Sequence, residues 1–128
     1  MDVFKTAGAF SWSELMTTDP QAAAEFYRQL FGWSVETSDM GQQGSYRVVK
    51  VGDAAIGGIM AMPPDLPQGV PAHWGCYVTV DSVESTIERC TSLGGKVVAA
   101  PMDIPQVGRM AVIQDPQGAV LAIIAYAD

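Results

Sequence analysis

The side chains able to do chemistry in this chain fall on segments that read as strands. Glu14 is the sharpest of them. It sits in residues 10–17, where alternation puts Leu15 on one face and Trp12, Glu14 and Met16 on the other. A strand carboxylate is rarely buried without a partner. Either Arg47 or Arg109 holds it, or it anchors a cationic or hydroxylated ligand, or it works as a general base. His73 is the single histidine, and it makes a strand-edge hydrogen bond or serves as acid and base. Tyr77 packs in the core or donates its hydroxyl, where it would steady an oxyanion. Trp12 is core or a stacking platform. Arg47 and Arg109 reach an anionic group or close salt bridges at strand ends. Met16, Met60 and Met110 suit the wall of an adaptable apolar pocket.

The elements that must position these residues occur twice, about 63 residues apart. In register, Leu15 falls on Val78, Leu30 on Leu93, Gly32 on Gly95 and Val35 on Val98. In the first copy, Asp19 and Pro20 open a helix as N-cap and first-turn residue. Ala23, Phe26, Tyr27 and Leu30 form its expected buried stripe, and Gly32 ends it. Strands follow at 33–38, 45–51 and 54–62, the last two joined by a tight turn at Gly52 and Asp53. The second copy runs a strand over 72–80 and a helix from Ser82 to Leu93 with Val83, Ile87 and Cys90 inward. Strands at 96–100, 108–114 and 119–126 complete it. Each copy is βαβββ, and neither buries its apolar face alone. A site is expected where the two meet.

Module one spans about 9–62 and module two about 72–126, within one domain of 128 residues. Four prolines in residues 62–71 make the stretch at 63–71 a stiff linker. A hydrophobic content of 48% with 16% charged residues suits a packed core and excludes a disordered tail. The net charge of −7 argues against nucleic acid. No apolar run approaches a membrane span, and the N-terminus has no apolar signal core. Cys76 and Cys90 fit no zinc spacing and read as buried reduced thiols, so a cytoplasmic location is expected.

Four short motifs in order give the chain a family resemblance. They are Thr18-Asp19-Pro20 after a strand, Phe26-Tyr27-x-x-Leu30-Phe31-Gly32-Trp33 at a helix end, Val80-Asp81-Ser82-Val83, and Asp115-Pro116-x-Gly118 before the last strand. The chain resembles the vicinal oxygen chelate superfamily, which includes glyoxalase I, extradiol dioxygenases and bleomycin-resistance proteins. The resemblance implies an α+β fold in which two tandem βαβββ modules form a curved, cup-shaped mixed sheet with helices on the outer face. It also implies a small-molecule ligand in the cup and a homodimer.

Metal-using members carry one ligand on the first and last strand of each module. Carried over, those places are Trp12, the stretch 57–60, Gly75 and Ala122. Trp, Gly and Ala offer no side-chain donor, and Met suits soft metals. No metal and no other cofactor is therefore expected. If odd-numbered residues of the fifth strand face the cup, it receives His73, Gly75, Tyr77 and Thr79, while Trp74, Cys76, Val78 and Val80 pack on the second helix. Two functions remain open. One is metal-independent binding of a small apolar or aromatic molecule, with Trp12 stacking and Glu14 as the polar anchor. The other is a metal-independent lyase or isomerase using Glu14 or His73 as acid or base. Metal-dependent glyoxalase or dioxygenase chemistry stands behind both.

Overall fold

The computed structural model describes residues 1–39, 45–62, 70–104 and 107–127. Most of the proline-rich linker and the loop after residue 39 lie outside those residues. The chain divides into two compact units, Trp12–Gly75, and Met1–Ser11 together with Cys76–Asp128. Element order is βαβββ twice, and the class is α+β.

In the first unit, which takes up β1 (Phe10–Thr17) from Trp12 onward, the strand leads into α1 (Pro20–Phe31), followed by β2 (Ser34–Asp39), β3 (Ser45–Val51) and β4 (Ala54–Ala61). Asp19 caps α1 as expected, its carboxylate accepting from the Ala22 N–H at 3.0 Å. Gly32 closes the helix in the left-handed conformation, at φ 76°. The strands lie in the order β2-β3-β4-β1, with β1 parallel to β4 and the other pairs antiparallel. Leu15, Val49 and Ile59 on the sheet meet Ala24 on α1, flanked by Ala23, Tyr27, Trp33 and Val35.

That core corrects the expected helix stripe. Phe26 and Leu30 are 58% and 56% exposed. The line pressed on the sheet runs instead through Ala23, Ala24 and Tyr27, because small residues let the helix approach closely. Phe26 and Leu30 lie to one side of it.

The second unit takes up β5 (His73–Thr79) from Cys76 onward, and α2 (Val83–Ser92), β6 (Lys96–Ile104), β7 (Gly108–Gln114) and β8 (Val120–Tyr126) follow in turn. The order is β5-β8-β7-β6, with β5 parallel to β8. Ser82 caps α2 through its hydroxyl. Val83, Ala111 and Ile123 form the core, with Val80, Ile87, Ile113 and Ala125 packed on it. Residues 1–11 belong to this unit. Ala9 and Gly8 bond to the Thr79 backbone, the Thr79 hydroxyl donates to the Val3 carbonyl at 2.7 Å, and Phe4 meets Tyr126 edge-on.

The expected parity of β5 holds where the register is defined. Val78 pairs with core Ile123, while Tyr77 and Thr79 pair with Ala122 and Ile124 on the face away from α2. Two expectations fail. Trp74 packs on Tyr27 and Trp33 of the first unit, to which it belongs, rather than on α2. Cys76 is exposed rather than buried. Among the described residues, no helix is long and apolar enough to cross a membrane.

Candidate functional site

In the Trp12–Gly75 unit, Ser13, Leu15, Gly57 and Ile59 share a face through the parallel β1–β4 register, and Leu15 and Ile59 meet α1. The alternate residues Trp12, Glu14, Met16, Gly58 and Met60 therefore share the opposite face. Glu14 is paired with Gly58 and Met16 with Met60. Sequence alternation thus brings Trp12, Glu14, Met16 and Met60 together on one surface.

A hydrogen-bonded chain runs across that surface. The Trp12 indole Nε1–H donates to the Tyr46 hydroxyl oxygen at 2.9 Å, and the Tyr46 hydroxyl donates to Glu14 Oε2 at 2.7 Å. Glu14 is only 7% exposed. A short O–H···O⁻ bond to a buried carboxylate is of the strong, charge-assisted kind, and the indole donor polarises it further. The chain fixes the ring of Trp12 and one oxygen of Glu14. It presents an aromatic face beside an anchored carboxylate, which can hold an apolar ring together with a cationic or hydroxylated group.

Tyr46 is the member that sequence reasoning missed. A signal existed in the two consecutive glycines inside β4, since a strand glycine often marks close approach. A Cβ added at Gly58 would collide with the Tyr46 phenol oxygen and ring. Gly58 is the gap through which Tyr46 reaches Glu14.

The remaining candidates go elsewhere. Arg47 pairs with Ile59 and so sits on the α1 side of the sheet. Arg109 is held by Glu84 at 2.7 Å and Asp103 at 2.9 Å. Those hydrogen bonds, to Glu84 first and then Asp103, raise its pKa. His73 is exposed, and its Nδ1 lies 2.9 Å from the Pro71 carbonyl oxygen, the strand-edge bond foreseen as one alternative. Tyr77 is buried in the other unit, its hydroxyl 3.8 Å from the Met110 sulfur, a weak acceptor. Met110 thus packs against a tyrosine there.

The side chains at the carried-over positions do not fit a divalent metal. Ligands must converge to about 2.0–2.2 Å with His, Cys or carboxylate donors. At the carried-over positions, the indole N–H of Trp12 is spent on Tyr46, and glycine and alanine have nothing to give. Among the described residues, no group of three His, Cys, Asp or Glu could hold a metal ion.

Comparison with known proteins adds the following. Residues 9–123 match the family model of the Glyoxalase/Bleomycin resistance protein/Dioxygenase superfamily. The chain is 42% identical over 117 residues to the Mycobacterium tuberculosis protein named "Putative glyoxylase CFP32", covering 91% of this chain and 44% of that one. It is 32% identical over 127 residues to the anthracycline biosynthesis protein DnrV of Streptomyces peucetius, covering 91% and 46%. The chain thus spans about half the length of these curated relatives. Among solved structures, it is similar to methylmalonyl-CoA epimerase from Mycobacterium tuberculosis, with a TM-score of 0.71, 15% identity and coverage of 97% and 92%. A Streptomyces coelicolor methylmalonyl-CoA epimerase variant in complex with 2-nitronate-propionyl-CoA gives 0.68, 17%, and 96% and 100%. At these identities the structural likeness speaks for the fold.

Proposed function

The chain belongs to the Glyoxalase/Bleomycin resistance protein/Dioxygenase superfamily, and from that premise we propose that it binds a small apolar or aromatic molecule without a catalytic metal. The binding surface is the sheet face that carries Trp12, Tyr46, Glu14, Met16 and Met60. The observation behind this reading is the Trp12–Tyr46–Glu14 hydrogen-bond chain. It includes Trp12, one of the positions the resemblance assigns to a metal ligand, and it offers an aromatic ring and a fixed carboxylate. Trp12 stacks on the ligand, the two methionines adapt to its shape, and Glu14 selects a cationic or hydroxylated group. A relative named for anthracycline biosynthesis and a neighbour complexed with an acyl-CoA compound are in keeping with a small organic ligand.

The test is a screen of small aromatic and cationic compounds against chelator-treated protein by titration calorimetry. Binding is expected without added metal, and Trp12→Ala weakens it at least tenfold. Glu14→Gln weakens cationic ligands and spares neutral ones. Binding that appears only after Zn²⁺, Ni²⁺, Mn²⁺ or Fe²⁺ is supplied would overturn the proposal.

One observation favours a second reading, acid–base catalysis. A buried carboxylate that accepts a phenol hydrogen bond is equipped to take a proton from a carbon acid and return it. Exchange of a bound ligand's C–H with D₂O, lost in Glu14→Gln, would support an isomerase or lyase. Unchanged ligand after prolonged incubation would leave binding alone.

A further inference from the structure

The Trp12–Gly75 unit has a recess on the α1 side of its sheet, and so on the face opposite Trp12, Tyr46 and Glu14. It is open to solvent, with a volume of about 520 Å³, and its lining includes Tyr27, Phe31, Trp33, Trp74, Ile56 and Ser13. Four of these are aromatic, drawn from the C-terminal half of α1, the turn after it, and β5. Tyr27 lies nearly parallel to Phe31 and to Trp33, with interplanar angles of 12° and 28°. Trp74 meets Tyr27 and Trp33 edge-on, at 5.4 Å and 6.0 Å between ring centres. The Trp74 indole N–H donates to the Tyr27 hydroxyl at 3.2 Å, so the polar atoms of the wall are turned on each other. Phe31 remains 59% and Trp74 40% exposed.

We propose that this recess is a ligand site in its own right, for an uncharged, planar aromatic molecule. The volume falls in the range of about 300–1,000 Å³ typical of small-molecule pockets. Its walls present ring faces and ring edges in two roughly perpendicular orientations, the arrangement in which a further ring gains both stacked and edge-on contacts. Charge decides the class of ligand. Among the described residues, none of those lining the recess is charged, so no ligand charge meets an ion-pair partner there, which favours an uncharged ring. Ser13 contributes the one aliphatic hydroxyl of the lining, able to meet a single polar substituent. The site owes nothing to the Trp12 face, because neighbouring residues of β1 point to opposite sides of the sheet.

The experiment uses N-phenyl-1-naphthylamine, an uncharged aromatic probe that absorbs where tryptophan emits. Saturable fluorescence enhancement with energy transfer from tryptophan is expected for the intact chain. Trp74→Ala and Ser13→Leu, which remove a wall and fill the recess, each weaken that component at least tenfold. Trp12→Phe leaves the affinity of that component unchanged when it is read from the directly excited emission of the probe. Trp74 and Ser13 are both exposed, and circular dichroism with thermal melts verifies that each variant is folded. The proposal is overturned if both variants bind like the parent, if Trp12→Phe alone removes the binding, or if no saturable component is found. It is also overturned if sedimentation velocity shows a dimer that Trp74→Ala dissociates, since the recess would then be covered by a second copy of the chain.

Discussion

Replacing Tyr46 with phenylalanine removes a single oxygen that serves both Trp12 and Glu14. Hydrogen bonds to charged groups contribute about 1.5–3 kcal/mol, so Tyr46→Phe is expected to lower unfolding free energy by that order in urea denaturation. The same variant should shift Trp12 fluorescence, because its indole loses its acceptor. An unchanged denaturation midpoint would mean the phenol contributes nothing to holding the carboxylate. Gly58→Ala attacks the same chain from the other strand. Its Cβ takes the place of the phenol oxygen, and overpacking of this kind costs about 1–3 kcal/mol. A Gly58→Ala protein that retains parent stability and parent tryptophan emission would contradict the close approach. Glu14 and Trp12 were legible in the sequence, since alternation along β1 alone puts them on one face. Tyr46 was not, because its role depends on the pairing of β3 with β4 and on the gap at Gly58, neither of which a one-strand pattern specifies.

At the scale of elements, local chemistry sets boundaries and tertiary packing sets faces. Asp19, Pro20 and Gly32 delimit α1 within the sequence itself, and β1 spans the residues that alternation assigns to it. Asp19→Ala should cost about 1 kcal/mol, the usual loss for an N-cap side chain, read as a lower urea midpoint. No change would show that Ala22 finds another acceptor. Helix periodicity could not say which side of α1 meets the sheet, because apolar residues cover more than one side and only contact with the strands chooses Ala23 and Ala24. The β3–β4 register shift between Val49 and Lys50 was equally invisible. On the outer surface of α1, Arg28 hydrogen-bonds Glu25 and holds its pKa at about 2, below the ordinary carboxylate value of 4.5. A depressed carboxylate pKa means that any stabilisation is present above pH 4.5 and is lost as pH falls towards 2. The pair is exposed, so Glu25→Gln should change neutral-pH stability little.

For the whole molecule, the duplicated βαβββ order was readable from repeated motifs, and it survives intact in the structure. Two long-range attachments were not readable. The first eleven residues join the second unit through Thr79 and Tyr126, and Trp74 joins the first through its rings. Local sequence carries no mark of such long-range partners. Tyr126 makes the first of these attachments testable. Burial raises its pKa above 10, while the Ser11 hydrogen bond works in the opposite sense. A raised folded-state pKa means stability is full below the unfolded value and declines as pH rises through the folded one. Loss of stability above pH 10 should therefore be smaller in Tyr126→Phe than in the parent. Identical alkaline profiles would show that Tyr126 ionises as freely folded as unfolded.

The central claim is a metal-independent ligand surface built on Trp12, Tyr46 and Glu14. It is tested most directly by following the Trp12 indole N–H resonance in ¹H–¹⁵N spectra of chelator-treated protein during titration with small aromatic and cationic compounds. The account predicts that a binding compound shifts the Trp12 signal in saturable fashion, with no metal present. A Trp12 signal that stays still for every binding compound, or moves only when a divalent metal is added, would contradict it.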